Sequence, residues 1–514
     1  MLIGRILYET ARRWPDRVAI IHDGKVLTYD EWNRRVNAVA RSLAARFGIR
    51  KGDRIGIIAF NSIEQLTAAF ALQKLGAVYV SINFRLSIDE LRYQIEDSEL
   101  KVLIFDTELA DTVLPCADIV KALIAIGPER KLSAGVSFAD LETTSDEEPA
   151  VAIDQNDPSL IMYTSGTTGR PKAVVLSHAA QYLNTLLCAL EMKLTPSDRT
   201  LHIAPLFHVA AYHVMLLPHI LVGASNIIIR RFEPQIVVAA IREHQITTML
   251  AVPTQFDRIA AEIPDVSHVG TSLRLAFNTG APIKRRTVEA IRRKITPQLG
   301  AVYGLTECSS LLTILLPEEL VRRGADCIGR PLVGVEIRVI EISDEPNVEA
   351  VVNRGEAGML IGRTEKLMDG YLHLPDKTAE TIKDGWLLTG DVVVEDQDGY
   401  FRLVDRADDM IRSGGENVYP QEVERVLLQH ANVADCAVIG VPDEEWGERV
   451  KAFIVRRSHD LTADALDAFC LDGRLARYKR PKIIEFVDEI PRNPSGKILR
   501  KLLRAPRSVV TQTV

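Results

Sequence analysis

The sequence carries no basic excess: 62 lysines and arginines stand against 69 aspartates and glutamates, a net charge of −7. A nucleic-acid partner calls for a cationic footprint, so none is expected, and any phosphate must be met by local groups. Cysteines are few, six in all (Cys116, Cys188, Cys308, Cys327, Cys436 and Cys470), with no Cys-x-x-Cys. That argues against a disulfide framework and a zinc site and fits a reducing compartment. The stretch from Met1 to Arg13 has polar and charged residues where a signal peptide needs an apolar core. The longest apolar stretch, Leu201 to Ile229, is broken by Pro205, Pro218 and the histidines at 202, 208, 213 and 219. It makes a poor membrane span and reads as buried core. None of these histidines sits three or four residues from another on a helix, so they are not read as a metal set. The terminal Thr-Gln-Thr-Val is no peroxisomal signal, and no internal repeat or low-complexity tract is present. A soluble, cytoplasmic protein is expected.

What is present is ordinary in bulk, 47% hydrophobic and 25% charged, which excludes long disorder. A chain of 514 residues exceeds a single core, so two or more domains are expected. The first part alternates strand-like and helix-like runs. Arg54 to Phe60, Ala77 to Ile82 and Lys101 to Asp106 read as strands. Ser62 to Leu75 has helical periodicity, and Ser87-Ile88-Asp89-Glu90 has the spacing of a capping box opening a helix to Asp97. Further strands are expected at Asn226 to Ile229, Thr248 to Val252 and Leu273 to Thr279. Such alternation implies α/β architecture with parallel-rich sheets covered by helices. The pattern changes near the charged run Asp405-Arg406-Ala407-Asp408-Asp409. Beyond it come a helix opened by Pro420, strands at Cys436 to Val441 and Val450 to Val455, a helix capped by Thr462 and a strand at Ile483 to Val487. A large domain over 1–407 and a small α/β domain over 408–514 are expected.

The chemistry concentrates in Tyr163-Thr164-Ser165-Gly166-Thr167-Thr168-Gly169-Arg170-Pro171-Lys172. Small residues let the backbone approach a ligand, and successive N–H groups, hydroxyls and an ammonium suit a polyphosphate. The order differs from the Walker pattern. Apolar runs on both sides make it a loop between two strands. Four weaker patches follow: Asn278-Thr279-Gly280-Ala281-Pro282, a sharp turn ending a strand; Val302-Tyr303-Gly304-Leu305-Thr306-Glu307, with ring, hydroxyl and carboxylate; Asp384 to Asp391, an acid at a glycine turn; and Pro491 to Lys497, a lysine on a loop.

In this order the motifs closely resemble the adenylate-forming superfamily of acyl-CoA synthetases, adenylation domains and firefly luciferases. The resemblance spans nearly the whole chain. It is greatest to bacterial fatty-acyl-CoA synthetases and to aryl-CoA ligases of the 4-chlorobenzoate type. One departure is Ala173, where many members carry glycine. The resemblance implies two half-reactions: a carboxylate attacks the α-phosphorus of MgATP to give an acyl-adenylate and pyrophosphate, and a thiol then displaces AMP. It also implies roles. The loop Thr164, Ser165, Gly166, Thr167, Thr168, Gly169 and Lys172 holds the departing phosphates, and Gly280, Ala281 and Pro282 join the nucleotide site. Thr164 and Glu307 contact magnesium, a hard cation on oxygen ligands. Tyr303 lies against adenine, Thr306 touches the α-phosphate, and Asp391 and Arg406 meet the ribose. Lys497 is the expected adenylation catalyst, an ammonium between two anions. Asp408 is the expected hinge, about which the small domain rotates to bring the Ser413 to Val418 loop, with Gly414 and Gly415, to the active site.

By family position the acyl site falls at Leu206 to His213. His208 is read as a gate beside the carboxylate, with Val209, Ala210 and Gly304 against the acyl group and the small residues leaving a deep channel. No aspartate awaits an amino acid's ammonium there, and no arginine stands between 205 and 225 for a second carboxylate. An apolar fatty or aromatic acid is expected. The acceptor is read from Arg85 in Asn83-Phe84-Arg85-Leu86, from Tyr478, Arg480 and Lys482, and from Trp446, positions that match CoA-nucleotide contacts in the aryl-CoA ligases. ATP, Mg2+ and coenzyme A are the expected small molecules, and a homodimer is a habit of relatives. Loading of a carrier protein, light-emitting oxidation and a non-catalytic ATP-binding regulator stay open as alternatives.

Overall fold

The computed structural model describes residues 1–127, 135–143, 145–164, 170–264, 269–281, 283–343, 345–413, 416–443, 446–471, 475–492 and 498–504. Packing divides the chain into two units. One comprises Met1–Ala325, Gly329–Glu336 and Arg363–Leu387; the other comprises Asp326–Ile328, Ile337–Gly362 and the chain from Leu388 onward. Packing thus groups 337–362 and 388–407 with the second unit, whereas the change in sequence pattern places the expected boundary at 408.

The first unit holds two large sheets. One runs, in spatial order, Gly370–Tyr371, Lys172–Ser177, Pro158–Thr164, Val78–Ser81, Arg54–Ile58, Val102–Asp106, Ala122–Ile126 and Val136–Ser137. From Pro158–Thr164 onward every pairing is parallel. The strand Val102–Asp106 shows why such strands are apolar throughout. Val102 and Ile104 enter one buried cluster, Leu103 and Phe105 another, because successive side chains leave opposite faces. The crossover helices obey local rules. Ser62 caps Ile63–Lys74 by accepting from Gln65 N–H. Ser87 and Glu90 form the reciprocal capping box that opens Ile88–Asp97.

The other sheet places Lys25–Thr28, Val18–His22, Ser225–Ile228, Arg199–His202, Thr248–Ala251, Leu275–Asn278, Leu299–Tyr303 and Thr313–Leu315 side by side. It is parallel from Val18–His22 through Leu299–Tyr303 and antiparallel where Lys25–Thr28 and Thr313–Leu315 pair with that run. Ligands of open parallel sheets bind beyond the carboxyl ends of their strands. The turns at 279–281 and 304–309 leave such ends.

In the second unit, Val433–Asp443 and Gly447–Arg456 form a long antiparallel hairpin, flanked by Ile411–Ser413 and by the parallel strand Ile483–Phe486. Pro420 opens the helix Pro420–Leu427 as read from the sequence. Thr462 accepts from Ala465 N–H at the start of Ala463–Leu471. Val423, Leu427, Val438, Val450, Ile454 and Leu466 share one buried cluster. Among the described residues no helix is long and apolar enough to cross a membrane.

Candidate active site

The expected phosphate loop sits between the strands Pro158–Thr164 and Lys172–Ser177, an antiparallel pair that sets Thr164 opposite Lys172 and Tyr163 opposite Ala173. Ser165, Gly166, Thr167, Thr168 and Gly169 lie outside the described residues. The flanks are tied to one helix, Ile88–Asp97. Tyr163 Oη donates to Asp97 Oδ2 at 2.7 Å, Tyr93 Oη donates to the Pro171 carbonyl at 3.1 Å, and the Arg170 guanidinium lies 5.0 Å from the Tyr93 ring centre. Ala173 is a buried strand residue.

Glu307 sits in the one-turn 3-10 helix Thr306–Cys308, after the strand Leu299–Tyr303. Its side chain is buried and accepts from Tyr371 Oη at 2.7 Å. The face of the same ring receives Lys172 Nζ at 4.1 Å, a cation–π contact. Tyr371 therefore joins the lysine of the loop to the carboxylate of the turn. Thr164, beside Lys172 in the register, and Glu307 offer the oxygen donors that suit a hard divalent cation. Thr306 and Tyr303 are half-buried close by in sequence.

Gly304 departs from expectation. A Cβ on it would fall 1.6 Å from the Ser310 carbonyl oxygen. Its small size admits neighbouring backbone and leaves no channel along that direction. Gly280 takes φ 78° in the turn after Leu275–Asn278, Ala281 lies in that turn, and Pro282 is outside the described residues.

In the second unit, Asp391 and Arg406 face each other across an antiparallel pair, with Arg406 Nη1 at 3.1 Å from Asp391 Oδ1. The glycine turn read at this acid is instead at Asp384–Gly385. Asp391 lies within the strand Trp386–Glu395, whose preceding Gly390 takes φ 69°. Asp408 belongs to the one-turn helix Ala407–Asp409. Gly414, Gly415 and Lys497 lie outside the described residues. Among the residues read for CoA, Trp446 and Tyr478 are exposed, Arg480 is paired with Asp467, and Lys482 is exposed. In the first unit Arg85 is exposed, its guanidinium 4.5 Å from the Phe84 ring centre.

In the acyl-site segment, Val209 and Ala211 belong to the large buried cluster, whereas Ala210 is half-buried. Solvent reaches the His208 ring, yet enough protein surrounds it for desolvation to lower its pKa. The other three histidines are satisfied core groups. His202 Nε2 lies 3.0 Å from Asn226 Oδ1, His213 Nδ1 3.1 Å from the Ser309 carbonyl, and His219 Nε2 2.8 Å from Thr248 Oγ1. Burial depresses their pKa values to about 4, about 3 and about 3.

An unfolded histidine titrates near 6.5, so between that value and the folded ones the unfolded chain binds more protons. Stability is then full above about pH 6.5 and is lost as pH falls toward the folded values, by roughly 1.4 kcal/mol per unit per histidine. Thermal unfolding of the parent and of His219→Gln should show a smaller loss of Tm from pH 7 to pH 5 in the variant. Equal losses would refute the assignment of His219 as a buried neutral group.

Sequence reasoning missed Tyr371 and Lys366. Lys366 is fully buried, and its Nζ donates to the Cys308 carbonyl at 3.0 Å and to the Leu311 carbonyl. Arg-Thr-Glu-Lys reads as solvated charge; only the adjoining Gly370-Tyr371, a glycine before an aromatic, marks the segment as one that packs closely.

The profile described as AMP-binding enzyme matches residues 7–372, and that described as AMP-binding enzyme C-terminal domain matches 422–497. A feruloyl-CoA synthase from an Amycolatopsis species is 39% identical over 505 residues, covering 98% of both chains. A 2-succinylbenzoate–CoA ligase from Bacillus licheniformis is 34% identical, covering 97% of this chain and 98% of that one. Among solved structures, the Bacillus subtilis o-succinylbenzoate coenzyme A synthetase in complex with ATP and magnesium ion superposes with a TM-score of 0.86 at 30% identity, covering 98% of this chain and 99% of that one.

Proposed function

The chain belongs to the AMP-binding enzyme family and is an AMP-forming acid–CoA ligase; we propose that its acid is aromatic and that Glu307, Lys172 and Lys497 carry the first half-reaction. The observation that carries this reading is the Lys172–Tyr371–Glu307 constellation beside the hairpin that brackets the loop.

The acid and ATP are both anions, and the barrier to their meeting is electrostatic. Lys172 and the loop before it hold the phosphates, with charge-assisted bonds that need no water to reorganise. Thr164 and Glu307 hold the magnesium, which supplies charge neutralisation on the phosphates when bound. Lys497 is given the role of offsetting the repulsion between the carboxylate oxygen and the α-phosphate. Asp391 and Arg406 receive the ribose hydroxyls, Tyr303 the adenine and Thr306 the α-phosphate. After pyrophosphate leaves, the second domain turns at Asp408, the residues around Gly414 and Gly415 come forward, and the CoA thiol attacks the adenylate carbonyl. Arg85, Trp446, Tyr478 and Lys482 receive the CoA nucleotide. Arg480 does so only by giving up Asp467. His208, the solvent-reached member of the acyl segment, orients the carboxylate. Six buried thiols fit a reducing cytoplasm.

The aromatic assignment draws on the apolar acyl segment and on the feruloyl-CoA synthase relative. A hydroxamate screen over ferulate, 4-coumarate, benzoate, octanoate, palmitate and malonate tests it. The aryl acids are expected to give the highest kcat/KM and malonate the lowest. A higher value for palmitate would overturn the aromatic reading, and a higher value for malonate the apolar one.

A further inference from the structure

The turn that carries Glu307 is strained. Ser309 and Ser310 have φ values of 56° and 126°, conformations that residues with a Cβ adopt only at a cost. Such backbone persists where its surroundings hold it. Here one distant segment contributes several of the holding contacts. Lys366 Nζ donates to the carbonyls of Cys308 and Leu311, residues on either side of the two serines. Met368 N–H donates to the Glu307 carbonyl at 2.8 Å. Tyr371 Oη donates to the Glu307 carboxylate. From the acyl-site segment, the His213 ring adds a hydrogen bond to the Ser309 carbonyl.

Lys366 is costly to bury, desolvation lowers its pKa, and its amino group is met by backbone carbonyls rather than by a carboxylate. A structural lysine at the surface would keep its charge in water. An amino group placed here ties two carbonyls of a distorted turn to one nitrogen. Tyr371 acts at the next level: its hydroxyl fixes one carboxylate oxygen of Glu307, and its ring carries Lys172.

We infer that Lys366 and Tyr371 are positioning residues of the adenylation site: Lys366 clamps the Ser309–Ser310 turn, and Tyr371 aims the Glu307 carboxylate at the nucleotide-bound divalent cation. This rests on the reading of Glu307 as a magnesium contact. Groups that orient a metal-bound side chain change metal affinity by roughly ten- to a hundredfold when removed.

The test is Mn2+ binding to the full-length enzyme saturated with a non-reactive methylene analogue of ATP, followed by electron paramagnetic resonance. Tyr371→Phe removes the hydroxyl and keeps the ring under Lys172. It should weaken Mn2+ about tenfold, while the KM for ATP at saturating metal stays near the parental value. Lys366→Met should weaken Mn2+ similarly and lower Tm. Glu307→Gln is the reference and should weaken Mn2+ at least as much. Parental Mn2+ affinity in Tyr371→Phe, with Glu307→Gln weakened, would overturn the positioning role. Parental affinity in Glu307→Gln as well would remove the assignment of Glu307 itself. Should Lys366→Met fail to fold, Tyr371→Phe, which deletes a single oxygen, decides the matter.

Discussion

Lys497→Ala is expected to slow acyl-adenylate formation by about two to three orders of magnitude, the loss that follows removal of one preorganised charge from a transition state. The carboxylate and the triphosphate repel each other, and the repulsion grows as water leaves the site. In the role proposed for Lys497 a single ammonium offsets it, and alanine would leave that repulsion uncompensated. The segment that follows is well anchored. Arg500, three residues on, is buried; its Nη2 lies 2.7 Å from Glu424 Oε1, and its Nε donates to the Val438 carbonyl. The second half-reaction has no such repulsion. Thioester formation from synthetic acyl-adenylate and CoA should therefore stay within a few-fold of the parent. Pyrophosphate release and adenylate consumption, assayed separately, check both halves. Pyrophosphate release at the parental rate would defeat the proposed role.

Gly304→Ala should be nearly as damaging, for a steric reason. The added Cβ meets Ser310 O at 1.6 Å, Ser310 C at 2.6 Å and Leu311 Cα at 2.8 Å. All three are backbone atoms that cannot rotate aside. Overpacking that side chains can relieve costs roughly 1–3 kcal/mol, and here the turn after Glu307 must move. A stability loss of about 3 kcal/mol is expected, with adenylation down about a hundredfold, the effect of a misplacement near 1 Å. Denaturant unfolding and pyrophosphate exchange measure the two. Gly334, whose added Cβ meets nothing within 4 Å, is the control. Its alanine variant carries only the strain of its φ of 74° and should stay active.

Local rules were readable from the sequence. The Ser87–Glu90 capping box, Pro420 at a helix start and the two apolar strands that flank 165–169 each depend on neighbours within a few residues, and each stands where expected. Glu307, Thr164 and Lys172 were readable as motif residues. Their connection was not: Tyr371 lies 64 residues from Glu307, and Lys366 lies 58 residues from Cys308. No spacing in the chain reports a contact of that range. The position of Asp391 inside a strand, and the close approach of the Ser310 backbone to Gly304, depend equally on residues that the fold brings together.

The helix Ile88–Asp97 reaches both margins of the phosphate loop, through Asp97 to Tyr163 and through Tyr93 to Pro171 and Arg170. If the loop takes a nucleotide as proposed, its margins are already fixed by these contacts before the ligand arrives. The entropy of bringing those margins together is lost once, at folding, rather than at every catalytic cycle.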